Sequence, residues 1–188
     1  SIWHTAPGIG VEDLNFAPSM YFTYLDENRA FQNLGAWSAS GATFGGIGEP
    51  EQARTAWATH GVLQALGVQP LLGRAFVEAD NVPRGEGPLA VILTYAYWQR
   101  RFGGEESVIG RALTVNSQPA QVLGVMPAGF RFFDVTPEID AILPLRYERN
   151  GLGLGNFSQQ GIARLKPGVS LEAANADVAR MLPIWLNA

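Results

Sequence analysis

The sequence contains no cysteine. Disulfides, thiolate zinc sites and cysteine nucleophiles are thereby excluded. The cellular compartment stays open on this ground, because exported and cytoplasmic proteins both do without cysteine. No apolar run approaches the roughly 18 residues that cross a bilayer. No basic n-region followed by an apolar h-region stands at the start, so no signal peptide is read there. A chain that opens in SIWHTAPGIG and stops just past a helix reads as a piece cut from a longer protein. Positive charge is scarce too: 13 Lys and Arg face 17 Asp and Glu, a formal net charge of -4. A nucleic-acid groove needs a basic stripe, so nucleic acid is not an expected partner.

Against these absences stand 188 residues that are 47% hydrophobic, enough for a substantial core, with 22 Gly and 12 Pro. That punctuation favours short elements and many turns over a helix bundle. Residues 1–17 read as irregular. Ser19 is placed to cap a helix running to about Leu34, with Tyr21, Tyr24, Leu25 and Phe31 on one face. Strands are expected over 36–44 and 52–60, then a short helix 61–66 closed by Gly67. Residues 70–81 read as loop. Leu89 to Leu93 are five apolar residues in a row, the mark of a strand buried on both faces. Thr94 caps a helix through Phe102, stopped by Gly103 and Gly104. A hairpin spans 111–126 and turns around Ser117 and Gln118. Short strands follow at 142–145 and 159–165, and Ser170 caps a last helix to about Leu182. Short strands mixed with short helices and hairpins predict an α+β fold.

Residues for chemistry do not assemble into a motif. Gly151, Gly153 and Gly155 follow no buried strand and precede no Lys-Ser or Lys-Thr, and Gly45, Gly46 and Gly48 lead into Glu49 and Glu51. Neither stretch is a phosphate loop. His4 and His60 are far apart, with no metal-ligand spacing; His4 is expected to be solvent-exposed and His60 to sit at a strand end. Asp134, Glu138 and Asp140 have the residue type for calcium but not the loop, and read better as a solvated acidic stretch. Glu105 and Glu106 read as surface charge. No GxSxG elbow supports a nucleophilic serine. Gln99, Arg100 and Arg101 are expected to face water. With Arg111, the two arginines offer a local basic patch or, more simply, solvated side chains. Trp57 and Trp98 are assigned to the core. The expectation is no catalytic, cofactor-binding or metal residue, and no enzyme.

Six segments in order carry a resemblance: GEPEQAR from Gly48, LGVQPLLGRAF from Leu66, YWQRRFGG from Tyr97, IGRALTVNSQP from Ile109, VLGVMPAGFRF from Val122 and ARLKPGVSLEAA from Ala163. Together they resemble the periplasmic core domain of MacB/FtsX-type ABC transporter permeases, especially the duplicated permeases of the acidobacterial type. The resemblance implies two subdomains: a porter-like α/β sandwich from both chain ends, 17–55 plus 159–188, and an inserted mixed α/β, Sabre-like subdomain, 57–145. It implies a periplasmic location between two membrane helices of the parent permease, and a cytoplasmic ATPase as working partner. A periplasmic protein partner is a further implied contact. The implied role is mechanotransmission, the passing of ATP-driven motion to a partner or substrate outside the membrane, with hinges at 83–88 and 150–156. The rival reading is a stand-alone periplasmic module binding lipid, peptide or glycan. The family continues past the last helix with one more strand, so one edge of the porter-like sheet is expected to lie open. The isolated domain is expected to be a monomer.

Overall fold

The computed structural model describes residues 1–188 except 3, 7–9, 82–86, 134, 136–137 and 188. Its elements, in chain order, are β1 (His4–Ala6), β2 (Val11–Leu14), α1 (Pro18–Glu27), β3 (Phe31–Gly45) and β4 (Glu51–Ala58). There follow α2 (Gly61–Leu66), β5 (Leu72–Gly73), β6 (Leu89–Leu93), α3 (Tyr95–Phe102), β7 (Ala112–Val115) and β8 (Gln118–Val125). The chain closes with β9 (Ala141–Pro144), β10 (Gln160–Leu165) and α4 (Leu171–Leu186). The fold is α+β, as its mixture of hairpins and short helices predicts.

One mixed eight-stranded sheet runs in the order β10-β3-β4-β9-β6-β8-β5, with β7 joining β3 to β8. β6 is its apolar centre, and all five residues are buried. Successive side chains of a strand point to opposite faces. Leu89, Val91 and Leu93 accordingly enter a cluster under α3, while Ala90 and Ile92 enter a second cluster with α2 on the other face. A third cluster lies between α1, α4 and the first half of β3. α3 forms where its signals place it: the Thr94 hydroxyl accepts from the Tyr97 N–H, and Gly103 takes the left-handed conformation that ends the helix.

α2 meets β3 at a close backbone approach. A Cβ on Gly61 would collide with the Leu34 carbonyl, and one on Gly35 would collide with Val62. Glycine is the residue that allows this contact.

Six expectations need correction. The first helix ends at Glu27 instead of near Leu34, because Asn28 turns the chain: its Nδ2 donates to Tyr24 O and its Oδ1 accepts from the Phe31 N–H. Residues from Phe31 on join the fifteen-residue β3. Ser19 does not cap α1, where Pro18 occupies the first turn after Ala17; its hydroxyl accepts from Trp185 Nε1 instead. The N-terminal stretch includes the β1–β2 pair. The β7–β8 turn is centred on Asn116 and Ser117, both at positive φ, one residue earlier than expected. Within 70–81, β5 pairs with β8 and Glu78–Asn81 forms a 3₁₀ turn. Finally, α4 continues through Pro183 to Leu186. The missing proline N–H is offset there by Trp185, which is buried in the third cluster.

β10 ends the strand order on this side of the sheet. It is partly covered, since Ile2 N–H donates to Gly161 O and Phe16 exchanges two bonds with Gln159.

Candidate functional site

Two places gather polar chemistry in the interior. The first lies at β9, at one of the narrow links in the sheet. β9 pairs in parallel with β4 over Thr55–Ala58, but meets β6 only at Ile142–Ile92 and Ala141–Leu93. Asp140 stands immediately before it. Its Oδ2 accepts from the Arg54 N–H at 2.9 Å and from Arg54 Nε at 3.3 Å, and its Oδ1 accepts from Arg100 at 3.1 Å. The Asp140 N–H donates to Arg54 O, and the Asp140 carbonyl accepts from the Thr94 N–H and hydroxyl. β4, β9 and α3 are thus clipped together by one carboxylate. Burial pushes that carboxyl up, but the Arg54 N–H and the two guanidiniums outweigh it and hold it below the usual range.

Asp140 is therefore not part of a solvated acidic stretch, because its oxygens are taken up by donors. Glu138 pairs with Arg131 on the surface, and Asp134 lies outside the described residues. Among the described residues no group of three His, Asp or Glu is placed to hold a metal. Arg100 and Arg101 are also not free: Arg101 reaches Glu49 O and the Glu51 carboxylate, and Glu51 accepts from the Tyr97 hydroxyl. Arg111 lies over the Phe102 ring, 5.4 Å from its centroid. These arginines tie α3 to the β3–β4 turn and to β9.

His4 is buried, contrary to expectation. Its Nε2 lies 2.8 Å from the Tyr24 hydroxyl, and its ring packs on Phe16 and Tyr24. Burial lowers its pKa. His60, at the end of β4, begins α2 as a half-buried residue. Trp98 is buried in the cluster with Leu89, Val91 and Leu93, whereas Trp57 is only partly buried against it. Gly151, Gly153 and Gly155 have nothing within 4 Å of a Cβ position, in keeping with open turns.

The second place is a cleft of about 290 Å³ between α1 and the ends of β4 and β9. Tyr21, Phe22 and Leu25 of α1 form one wall, and Thr59, His60 and Leu145 the floor. Asn81 fixes the floor: its Oδ1 accepts from the His60 N–H, and its Nδ2 donates to Ala58 O and Leu145 O. Nothing in the sequence points to this cleft, because its walls come from four separate stretches of chain.

A mixed eight-stranded sheet with helices packed around it is the architecture of the periplasmic domains of transporter permeases. The chain belongs to the MacB-like periplasmic core domain family, whose model matches residues 6–181. It is similar in fold to the periplasmic region of MacB from Actinobacillus actinomycetemcomitans, with TM-score 0.67, 14% identity, and 97% of this chain and 80% of that one covered. The extracellular domain of the noncanonic ABC-type transporter YknZ from Gram-positive bacteria gives TM-score 0.62 at 16% identity, covering 93% and 86%. A domain of a putative permease protein from Porphyromonas gingivalis gives TM-score 0.65 at 17% identity, covering 90% and 71%. No curated protein matches by sequence.

The chain is a periplasmic domain of an ABC transporter permease, a class that works with ATPase subunits. The family is one of transporter domains and not a known catalytic family. No helix among the described residues is long and apolar enough to cross a membrane.

Proposed function

We propose that this domain is a non-catalytic coupling element, which passes ATP-driven motion of the parent permease to a periplasmic partner or substrate. Its two moving units are 17–55 with 159–188, porter-like, and 57–145, the inserted unit. The observation that carries the reading is β9. β9, held to β6 by two residue pairs, is, with the equally short β3–β7 pairing, one of two narrow links between the α1/α4 side of the sheet and the α3 side. The Asp140 clip spans that seam, joining Arg54 of the first unit to Arg100 of the second. Both arginine side chains are about half exposed. The guanidiniums are the water-facing part of the clip, so they can exchange the carboxylate for solvent while the Arg54 N–H keeps the buried Asp140 partnered, which suits a joint that yields under load. The connection at 150–156 acts as a hinge between the units. Residues 82–86 of the other expected hinge lie outside the described residues.

The test uses the full-length permease with its ATPase in lipid nanodiscs. Spin labels on Glu106→Cys and Glu172→Cys report the distance between the units, and the domain's lack of native cysteine keeps the labels unambiguous within it. The expected result is a distance distribution that shifts between the ATP-bound and nucleotide-free states. An identical distribution in both states overturns the reading. The purified chain is expected to be a monomer by light scattering, and to hydrolyse neither ATP nor ester and peptide substrates.

A further inference from the structure

The cleft beneath α1 has a feature that packing does not explain. His60 and Tyr147 both line the cleft, and the His60 Nδ1 and the Tyr147 hydroxyl, each shielded from solvent, have no hydrogen-bond partner in the protein. Buried polar atoms are nearly always paired, and leaving one unpaired costs about 1–3 kcal/mol. Here two of them share one cleft whose other contributions are mostly apolar: Tyr21, Phe22, Leu25 and Leu145. Leu25 is 39% exposed, a large apolar side chain with unfilled surface. The floor is held rigid by Asn81, as described above. A cleft with apolar walls and a few convergent polar atoms is the usual build of a small-molecule site.

Charge at the mouth selects the ligand. Arg149 lies over the Phe22 ring, 5.3 Å from its centroid, and its charge is already matched by the Asp26 carboxylate. Glu78 stands on the opposite lip. An anionic ligand would meet Glu78 and Asp26 with no spare cation between them. A neutral ligand meets no such penalty. We propose that this cleft binds a small, neutral, largely apolar molecule carrying one hydroxyl group, with the half-buried His60 and Tyr147 side chains turning toward it so that the hydroxyl pairs with His60 Nδ1 and the Tyr147 hydroxyl. Arg149 folds over the mouth, and its exposed pair with Asp26 opens readily to admit the ligand. The site is independent of the coupling role and stands whether or not the two units move.

Three probes test it by calorimetric titration and amide chemical-shift mapping on the 188-residue chain: 2-naphthol, naphthalene and 2-naphthoate. The expected result is saturable 2-naphthol binding at one site, with shifts centred on α1 and His60. Naphthalene should bind about tenfold more weakly, because the two polar atoms stay unpaired. The 2-naphthoate anion should also bind at least about tenfold more weakly. Leu25→Trp fills the cleft from an exposed position and should abolish binding. Tyr147→Phe removes a hydroxyl that bonds nothing in the protein; it should leave thermal unfolding unchanged and erase most of the preference for 2-naphthol over naphthalene. Absence of saturable binding overturns the proposal. So does equal affinity for all three probes, or 2-naphthol binding that is indifferent to both substitutions.

Discussion

The α3 side and the α1/α4 side of the sheet are held together by different means. Under α3 the core is built mainly from neighbours in sequence, since β6, α3, β7 and β8 fall within 89–125, with apolar residues of β3, β4 and β9 completing it and polar ties confined to its margin. The α1/α4 side joins residues more than a hundred positions apart, and does so with polar groups. Asp177 Oδ2 accepts from the Arg29 and Ala30 N–H groups at 2.7 and 3.0 Å, while its Oδ1 accepts from Arg180. Arg180 reaches Glu27 O, Lys166 reaches Arg29 O, and Trp185 reaches Ser19. A local apolar core forms through area removed from water. A distant pairing needs directional bonds to fix its register. The two sides should therefore answer differently to substitution.

The largest expected effect is on the apolar side. Trp98→Ala removes a buried indole and the bond from its Nε1 to Glu105 O, and should cost about 3–5 kcal/mol in urea unfolding. A loss below about 1 kcal/mol would show that the α3 core does not depend on its central aromatic. Next comes Asp177→Ala, which strands two backbone N–H groups and an arginine. It should cost about 2–3 kcal/mol, and hydrogen exchange at Arg29 and Ala30 should rise while Leu89–Leu93 stays protected. Equal loss of protection on both sides would erase the contrast. A smaller effect, of about 1 kcal/mol, is expected for Ser170→Ala, since the Ser170 hydroxyl accepts from the Ala173 N–H at the start of α4.

The pH dependence separates two kinds of buried group. Burial lowers the His4 pKa, so the unfolded chain takes up a proton first as pH falls. Its contribution is complete above about pH 6.5 and declines below it, with a slope of at most about 1.4 kcal/mol per pH unit. Asp140 and Asp177 are also depressed: burial raises each, and their hydrogen-bonded and charged partners more than reverse it. Their contribution is present above about pH 4 and is lost as pH falls further. Stability measured from pH 7.5 to 3 should thus fall in two stages. His4→Asn should remove the upper stage alone. A single stage in the unsubstituted chain would contradict this assignment.

The same contrast explains what the sequence discloses. Leu89–Leu93, Thr94 with Gly103, and Gly67 are signals written within a few residues of the elements they govern, and each lies where it was read. Phe31 and Leu34 continue the apolar spacing of the first helix past its end, while the stop comes from the Asn28 side chain. His4 reads as a terminal polar residue until β1 brings it against Tyr24. Asp140 reads as one acid among three until Arg54, 86 positions earlier, supplies its partner. The cleft was invisible for the same reason: two unpaired atoms, on His60 and Tyr147, acquire meaning only when α1 closes over them. The porter-like and inserted boundaries rest on the family resemblance, and the spin-label distance is what tests them.

β3 has a consequence for how the chain is made. It is fifteen residues long, about 50 Å of strand. Its first half pairs with β10, synthesised more than a hundred residues later, while β4 waits for β9. During vectorial synthesis or passage across a membrane, the β3–β4 hairpin emerges early with both flanks unpaired. Loop closure over such separations is slow, and open strand edges recruit whatever strand arrives first. Gly41 and Arg54, opposite one another in the middle of that hairpin, interrupt what would otherwise be a sticky ribbon. The nascent domain is thus the form most in need of a chaperone, and the closing step of its folding is the docking of β10.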